Sequence, residues 1–266
     1  AGTALVEVCP QVGTNLVLWG SSFGGGIGAM AVPWDARIRR AAIAAVSQQD
    51  VLDAMIGNPE LYRLCGAMFV CGTPLASDAG GETLVAGNGQ DLARQLLAEA
   101  GYDGTPVVVM HPTDVGTLRT QPVVVAQAMR DVGFNVDLQA MDWQTLVGRR
   151  ANQAAPGDGG WNMFITNWVG ADVFNPIVNN MVGGQGTTGW FGWADDPELE
   201  GMRMEFARAS TVAEQAAIAE RIQLRVYEQG YYAPIGQYFV PTAWSTNIEG
   251  VLDGPAPFFW NIRRTD

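Results

Sequence analysis

The hydrophobic pattern of residues 105–168 predicts an alternation of strands and helices. Apolar stretches of strand length run over 105–111, 134–140 and 161–168. Two helical segments separate them, one that ends at Gly133 and one, DWQTLVGRRANQ, for which Asp142 is the predicted N-cap. This order indicates a β-α-β-α-β unit, because crossovers of this length favour parallel strands with right-handed connections.

Further helices are predicted on both sides of this unit. We expect one helix to begin near Pro33 and a second helix, capped by Asp50, to follow it. NGQDLARQLLAEAGY and the acid-rich DDPELEGMRMEFARA each have helical periodicity. The segment STVAEQAAIAERIQLRVYEQG is also predicted as a helix, and a capping box of Ser210 or Thr211 with Glu214 opens it.

The two ends of the chain are predicted to hold strands. ALVEV (4–8) and NLVLW (15–19) lie near the start, and strand-like segments at 231–240 and 244–251 lie near the end. Between them, SSFGGGIGAM is predicted as a flexible loop. We interpret glycines 24–26 as a solvated turn rather than a phosphate cradle, because no helix follows them directly.

Composition supports one large α/β unit and restricts its partners. The chain has 266 residues, 48% of them hydrophobic, and a mean hydropathy of +0.06, so a sizeable core can form. Its net charge of −12 repels phosphate backbones and anionic lipids, so we expect no nucleic-acid partner. No apolar run approaches the ~20 residues that span a bilayer.

The missing residue types restrict the chemistry. All 15 basic residues are arginines, which excludes Schiff-base chemistry and a P-loop lysine. His111 is the single histidine, so a multi-histidine metal site is excluded. The enzyme alternative, an α/β hydrolase-like protein that uses His111 with Asp114, lacks a G-x-S-x-G nucleophile elbow. A nucleotide-binding domain lacks its glycine fingerprint. We therefore expect no catalytic residues, no metal and no cofactor.

Aromatic residues gather after the third strand of the predicted unit. Trp168 ends that strand, and Trp190, Phe191 and Trp193 follow in the segment WFGW among glycines. In open α/β sheets, ligands gather beyond the carboxyl ends of the strands. These aromatic side chains are therefore candidate ligand contacts. Core packing is the alternative for each of them.

Two polar residues are predicted at the same edge of the sheet. Asp172 lies just past the carboxyl end of the third strand, and His111 lies at the carboxyl end of the first. A partly buried carboxylate without a partner is costly, and a cationic ligand would relieve that cost. Asp172 is therefore a candidate ligand contact. The alternative is that Asp172 is the N-cap of a helix beginning at Val173.

The cysteines leave two interpretations open. Cys65 and Cys71 bracket the segment CGAMFVC, which could close a small disulfide ring or hold two reduced, buried thiols. Their spacing matches neither a zinc ribbon nor a CxxC redox motif. Cys9 has no evident partner in the chain.

Several segments, taken in order, resemble the family 5 extracellular solute-binding proteins, the dipeptide- and oligopeptide-binding subunits of ABC importers. The segments that carry the resemblance are IRRAAIAAVSQQDVLDAMIG, LARQLLAEAGY, VVVAQAMRDVGFNVDLQAMDW, WNMFITNWVGAD and YYAPIGQYFVPTAWSTNIEGV. The resemblance covers nearly the whole chain. It implies a substrate-binding component without catalytic activity, located in the periplasm, which delivers a peptide or other small solute to permease subunits.

The family fold implies that this chain is the C-terminal lobe of a longer protein, an α/β lobe whose mixed, partly parallel sheet is flanked by helices. Residues 1–20 would be hinge-proximal strands, 21–231 the lobe, and 232–266 the returning hinge strands and C-terminal segment. The N-terminal lobe of the same protein would be a partner. A start inside a strand, AGTALVEVCP, agrees with this expectation. The oxidising periplasm implies a Cys65–Cys71 disulfide.

The resemblance also assigns a role to Asp172. Peptide binders of the family have an aspartate in a W-x-A-D pattern that pairs with the amino terminus of the ligand. Backbone groups beside the tryptophan, here at Val169, extend the peptide as an added strand. The match in this chain is Trp168 with Ala171 and Asp172, with one extra residue between them. Val-Phe-Asn-Pro replaces the acidic-Pro step of the family, so the resemblance implies a small solute more firmly than a peptide.

Overall fold

The structure is a computed structural model that describes residues 16–17, 23–27, 35–252 and 258–265, the first two ranges by their backbone alone. The strands in this part are β1 (Leu16–Val17), β2 (Phe23–Ile27), β3 (Tyr62–Arg63), β4 (Val107–Pro112), β5 (Val136–Met141), β6 (Met163–Trp168), β7 (Ala233–Tyr238), β8 (Thr242–Ala243), β9 (Ile248–Glu249) and β10 (Arg263–Arg264). The α-helices are α1 (Ala36–Ala45), α2 (Gln48–Met55), α3 (Glu82–Ala86), α4 (Gln90–Ala100), α5 (Gln121–Asp131), α6 (Trp143–Arg149), α7 (Pro197–Arg208) and α8 (Val212–Gln229).

A mixed sheet with the strand order β3-β7-β2-β6-β4-β5 forms the centre of the fold. β4 pairs in parallel with both β5 and β6, as the β-α-β-α-β pattern predicts. β2 runs antiparallel to β6 on one side and to β7 on the other. β4, β5, β6 and β7 therefore all end at the same edge of the sheet. The predicted fold class, a mixed and partly parallel α/β lobe, is confirmed.

The sheet is covered on both faces, as the uninterrupted apolar run in β4 predicts. Val107 and Val109 belong to the main core, which the helices α1, α4, α5 and α8 help to build. Val108 and Met110 point to the opposite face, because successive side chains of a strand alternate. There they join a second core, which consists of Val108, Met110, Leu146, Trp161 and Phe164.

The predicted flexible loop at glycines 24–26 is wrong, because these residues form the middle of β2. Gly24 pairs with Trp168 of β6, and Gly26 pairs with Thr166 of the same strand and with Pro234 of β7. Glycine has a low intrinsic preference for strands and weakens a strand that contains it. Hydrogen bonding to a neighbour on each side overrides that preference here, which a local reading of the sequence does not detect.

The predicted cap of the second helix at Asp50 is also wrong. α1 ends at Ala45, and Ser47 is the N-cap of α2, where its hydroxyl accepts a hydrogen bond from the Asp50 backbone N–H at 3.2 Å. Asp50 lies in the first turn of α2, where a carboxylate interacts favourably with the helix dipole. The predicted beginning near Pro33 lies outside the described residues, and α1 begins at Ala36 after the N-cap Asp35.

Two other predicted caps are confirmed. The Asp142 carboxylate accepts a hydrogen bond from the Thr145 backbone N–H at 2.9 Å at the start of α6. Thr211 and Glu214 form a complete capping box at the start of α8. Residues within the first turn are therefore enough to specify the beginnings of α6 and α8.

The terminal strands are only partly described. The predicted strand at 4–8 lies outside the described residues, whereas Leu16 and Val17 pair with β8 just after β7 ends. Of the strand predicted over 244–251, only Ile248–Glu249 is a strand. In the part of the chain that the structure describes, no helix has the length and apolar character to cross a membrane.

The cysteine pair lies in the segment between β3 and α3. The sulfur atoms of Cys65 and Cys71 are bonded, and their Cα atoms are 6.0 Å apart. Cys65 is fully buried, and its backbone is held by the side chain of Gln48. The bonded pair thus anchors this segment against α2.

Candidate ligand-binding site

The candidate site lies at the edge where β4, β5, β6 and β7 end. Trp168 is the last residue of β6, and His111 is the next-to-last residue of the neighbouring β4. Tyr238 ends β7 at the same edge. The structure therefore places Trp168 and His111 as the sequence predicts, at the position where open α/β sheets bind ligands.

Three of the predicted aromatic residues form one cluster together with an arginine. The ring centroids of Trp168 and Trp190 are 5.0 Å apart, and those of Trp190 and Phe191 are 4.8 Å apart. The guanidinium carbon of Arg150 lies 5.4 Å from the Trp190 ring centroid and 4.5 Å from that of Phe191. We call these four residues the Arg150 cluster. Its side chains are half-buried, so each offers part of its surface to a ligand.

Trp193 has a different role from its neighbours in WFGW. Its ring packs against Trp161 of the second core, with the centroids 5.5 Å apart. Its backbone φ of 53° lies in the left-handed region, which a bulky residue rarely adopts. The Trp193 backbone N–H donates to the Trp190 carbonyl at 2.9 Å and closes a turn. Trp193 therefore packs against the second core, as Trp190 and Phe191 also do, and its turn shapes the loop that carries them.

Asp172 does not cap a helix, so the helix-cap alternative is wrong. It lies within a short 3-10 helix, Gly170–Val173, for which Val169 occupies the N-cap position. The turn that follows is held by Asn175 instead. Its side-chain oxygen accepts hydrogen bonds from the backbone N–H groups of Ile177 at 2.8 Å and Val178 at 3.2 Å. The Asp172 side chain is exposed, and no described residue donates a hydrogen bond to it or forms an ion pair with it. Its carboxylate is available to a cationic group.

His111 and Asp114 do not form a catalytic pair. The Nε2 atom of His111 donates to the carbonyl oxygen of Arg119 at 2.8 Å and so holds the segment that follows β4. Asp114 accepts a hydrogen bond from the Trp143 backbone N–H at 2.8 Å, at the start of α6. Because both side chains support turns and helix ends, nothing in this pair supports the hydrolase alternative.

A polar layer beneath the site was not predicted. The fully buried Gln121 donates from Nε2 to the Asn167 side-chain oxygen at 3.0 Å, and Asn167 donates to the Thr117 hydroxyl at 3.0 Å. Burial raises the pKa of Tyr238 to about 12, and a hydrogen bond with Thr117 opposes the rise. These contacts tie the end of β6 to the segment after β4 and to the end of β7, and so fix the backbone beside Trp168.

Arg150 is the second feature that sequence reasoning missed. It follows Arg149, and the sequence gives no signal that separates the two. Arg149 donates to the carbonyl oxygens of Gly159 at 2.9 Å and Gly160 at 2.6 Å, so it fastens the loop before β6. Burial lowers the pKa of Arg150 from its ordinary value. The two arginines therefore differ only through tertiary packing.

No metal centre is evident at this edge. Within the ranges that the structure describes, no group of three or more histidine, cysteine, aspartate or glutamate side chains could hold an ion. The site therefore consists of aromatic faces, one free carboxylate, one guanidinium and backbone groups. Such a set binds organic solutes through stacking, hydrogen bonds and charge.

Comparison with known proteins gives a family match over more than half of the chain. Residues 32–190 match the family model described as "Bacterial extracellular solute-binding proteins, family 5 Middle". The chain is 30% identical over 228 residues to a probable peptide ABC transporter periplasmic-binding protein of Sinorhizobium fredii, an alignment that covers 86% of this chain and 43% of that protein.

Solved structures show the same fold. The chain is similar to Haemophilus influenzae OppA in complex with RPPGFSPFR, with a TM-score of 0.78, 14% identity, and coverage of 99% of this chain and 52% of that one. It is also similar to the ABC transporter substrate binding protein CtaP from Listeria monocytogenes, with a TM-score of 0.77, 16% identity, and coverage of 93% and 50%. The chain thus spans about half the length of the relatives that it matches.

Proposed function

Because the chain belongs to the family 5 bacterial extracellular solute-binding proteins, we propose that it is the C-terminal lobe of a protein that captures a peptide or other small solute for an ABC importer. The observation that carries the proposal is the exposed carboxylate of Asp172, which lies in the short 3-10 helix that follows Trp168 at the end of β6. An exposed aspartate without a protein partner, beside an aromatic cluster at the ligand-binding edge of an α/β sheet, suits the amino group of a solute.

The proposed binding mode uses three kinds of contact. Asp172 accepts charge-assisted hydrogen bonds from an amine of the solute, and Trp168, Trp190 and Phe191 cover its apolar parts. Backbone groups at Val169, directly after β6, are available to pair with an extended ligand. His111 lies on the neighbouring strand and contacts the solute with the part of its ring that Arg119 does not engage.

The second wall of the site belongs to the N-terminal lobe in this proposal. The chain covers 43% of the length of the Sinorhizobium fredii relative and 52% of the length of Haemophilus influenzae OppA, which leaves room for a second lobe in a longer protein. Residues 1–20 and 232–266 are proposed to lead to and from the hinge, and 21–231 to form the lobe. The pairing of β1 with β8, just beyond the end of β7, supports this division because both segments leave the sheet at the ligand-binding edge.

The named relatives support two further parts of the proposal, an ABC importer as the partner and the periplasm as the location. The Sinorhizobium fredii protein is named as a probable periplasmic-binding protein of a peptide ABC transporter. By analogy we assign this protein to the periplasm and expect permease subunits of an ABC transporter as its partners. A role in binding without chemistry agrees with His111, whose described hydrogen bond goes to a backbone carbonyl rather than to a nucleophile.

Mass spectrometry of solute that remains bound through purification tests the proposed function. The full-length protein is purified without denaturant, then unfolded, and the released small molecules are identified. We expect one amine-bearing solute at near-stoichiometric yield, recovered chemically intact after incubation with the protein. Unfolded and refolded protein provides the ligand-free control, whose melting temperature should rise when the identified solute is added. Release of no solute, together with no change in melting temperature over a panel of short peptides, would contradict the proposal.

A further inference from the structure

The disulfide segment, residues 65–71, is hydrogen-bonded to α8 as well as to α2. The Gly66 carbonyl accepts from the Tyr227 hydroxyl at 2.7 Å, and the Met68 backbone N–H donates to the side-chain oxygen of Gln223 at 3.0 Å. Met68 and Gln223 are both buried. The middle of the segment is therefore fixed to the lobe by packing and by shielded hydrogen bonds.

Asn179 connects the disulfide segment to the chain that follows Asp172. Its side-chain nitrogen donates to the Met68 carbonyl at 3.0 Å, and its side-chain oxygen accepts from the Met181 backbone N–H at 3.1 Å. Its backbone N–H donates to the Asn175 carbonyl at 3.0 Å and so closes the turn that begins shortly after Asp172. Because Asn179 is fully buried, the Met68 carbonyl serves as an interior anchor for this turn.

The Asn175 turn, residues 175–179, exposes much of its apolar surface. Ile177 is 44% exposed and Val178 is 45% exposed. Arg203 of α7 provides a second anchor, because its Nε donates to the Pro176 carbonyl at 2.9 Å. A turn that is held by few contacts opens locally at a low free-energy cost. Loss of its anchor on the disulfide segment would therefore loosen the turn without unfolding the lobe.

The far end of the disulfide segment reaches the edge of the candidate site through Arg63. Nη1 of Arg63 donates to the Cys71 carbonyl at 3.0 Å, and the guanidinium carbon lies 5.9 Å from the Phe239 ring centroid. Phe239 directly follows β7, which ends at that edge. The disulfide segment is thus connected to the site edge both through Arg63 and through Asn179.

The two cysteines differ in exposure. Cys65 is 1% exposed, whereas Cys71 is half-buried. Thiol–disulfide exchange requires that an attacking thiolate reach a sulfur atom, so the Cys71 end of the bond is the end that a reductant can approach. The Arg63 guanidinium beside Cys71 favours this approach, because a cation attracts the thiolate.

We propose that the Cys65–Cys71 bond is a redox-sensitive switch that controls how firmly the Asn175 turn, and with it Asp172, is held. A dithiol attacks the sulfur of Cys71, forms a mixed disulfide and displaces Cys65 as a thiolate, which takes up a proton. The second thiol of the reductant then displaces Cys71, so both cysteines end as thiols and the reductant ends as a disulfide. The inference rests on the proposed function for the role of Asp172, and it adds that solute binding weakens when the bond is reduced.

Reduction acts on the Asn175 turn through the position of the Met68 carbonyl. Met68 lies midway in the closed loop, so the bond restrains its backbone from both sides. Without the bond, residues 69–71 gain conformational freedom. The Met68 carbonyl then spends part of the time away from Asn179, and the turn opens in that fraction of molecules.

Hydrogen exchange of the ligand-free, full-length protein tests the switch, read by mass spectrometry after pepsin digestion. The protein is compared before and after incubation with dithiothreitol under native conditions, and again after reoxidation. We expect the amides of residues 175–182 to exchange about tenfold faster in the reduced protein, because one hydrogen-bonded anchor is lost. At short labelling times β4 and β5 should stay protected in both states, and reoxidation should restore the original pattern.

Variants separate this coupling from the effect of other thiols. Cys65→Ala/Cys71→Ala should have fast exchange in the Asn175 turn permanently and should not respond to dithiothreitol. Cys9→Ala is the matched control and should respond like the parent protein. Asn179→Ala removes the connection itself, so its turn should exchange fast already and should change less on reduction. If Asn179→Ala does not fold, the parent protein and the cysteine variants carry the test.

The inference is overturned if dithiothreitol leaves the disulfide intact in the folded protein, or if the reduced protein exchanges like the parent protein. Loss of protection in β4 and β5 together with the turn would also overturn it, because the bond would then stabilise the lobe as a whole. The readout needs no solute. A firmly held turn in the reduced protein therefore leaves the proposed function intact, and failure to capture a solute leaves the test of the switch unchanged.

Discussion

Gln48 and Cys65 form a closed pair of hydrogen bonds in the protein interior. The side-chain oxygen of Gln48 accepts from the Cys65 backbone N–H at 2.7 Å, and its side-chain nitrogen donates to the Cys65 carbonyl at 2.7 Å. The same nitrogen donates to the carbonyl of Pro234 in β7 at 2.9 Å. One fully buried amide thereby joins α2, the disulfide segment and the central sheet.

Replacement of this amide should destabilise the protein strongly. Gln48→Leu keeps a similar volume but leaves the N–H and C=O groups of Cys65 and the C=O group of Pro234 without partners. We expect the free energy of unfolding to fall by about 3 kcal/mol or more, because each of the three buried unsatisfied groups costs about 1–3 kcal/mol. Urea denaturation measures the change. Gln144→Leu, at an exposed position on α6, is the control and should change the free energy of unfolding by less than about 0.5 kcal/mol. Equal effects of the two variants would contradict this role of Gln48.

The disulfide should form in protein that is produced in an oxidising compartment and purified without a reducing agent. Trypsin cleaves after arginine and releases both cysteines in the peptide 64–94. Without reduction, this peptide should be lighter by two hydrogen atoms than after reduction, as measured by mass spectrometry. The double variant Cys65→Ala/Cys71→Ala should lose about 2 kcal/mol of stability, since the closed loop is short. A free thiol at Cys65 in unreduced protein would contradict the assignment.

The capping box of α8 should make stability depend on pH. Hydrogen bonds from Thr211, and secondarily from Ser210, lower the pKa of Glu214. The pKa of Glu214 is lower in the folded state than in the unfolded state. Its contribution to the free energy of unfolding is therefore fully present above the ordinary pKa of about 4.3. It is lost as the pH falls through the lower, folded-state pKa. Thr211→Ala should lower stability by about 1 kcal/mol at neutral pH.

Thermal melts of the parent protein and Thr211→Ala between neutral and acidic pH test this linkage. The difference in melting temperature between the two proteins should shrink as the carboxylate becomes protonated. Glu214→Gln provides the control background, since it retains an acceptor and does not titrate: the effect of Thr211→Ala made in Glu214→Gln should vary less with pH than the effect of Thr211→Ala in the parent protein. A difference that stays constant down to strongly acidic pH would show that Glu214 does not contribute through its charge.

Much of the fold could be predicted because its signals are local. The strands β4, β5 and β6 and the caps at Asp142 and Thr211 depend on residues close in sequence, and they agree with the structure. The strand at glycines 24–26 was not predicted, because it depends on pairing with two strands that are distant in sequence, β6 and β7. At Asp50 the predicted helix start was three residues late, because Ser47 takes the N-cap position and Asp50 lies in the first turn of α2.

The site was predictable in its location but not in its composition. Trp168 ends a strand and Asp172 follows it, and a sequence pattern can identify the end of a strand. Arg150 contributes through its position over two rings, and no pattern distinguishes it from Arg149. Gln121 is likewise one polar residue among many, and its role depends on the packing of α5 beneath β6. Tertiary contacts decide which polar residues enter a site, and these contacts are not encoded in local spacing.

Asp172 is proposed to bind an amine of the solute, and calorimetry on the full-length protein with the solute recovered from it tests this role most directly. Asp172→Asn keeps the shape and removes the charge. It should weaken binding at least about tenfold, because loss of one partner of a charge-assisted contact costs about 2–5 kcal/mol when the contact is buried. Asp91→Asn, an exposed aspartate on α4, should bind like the parent protein.

Because Asp172 caps no helix, the melting temperature of ligand-free Asp172→Asn and Asp172→Ala should equal that of the parent protein. A dissociation constant for Asp172→Asn that is at least tenfold higher, with an unchanged ligand-free melting temperature, is the result that we predict. An unchanged dissociation constant in folded Asp172→Asn would contradict the account.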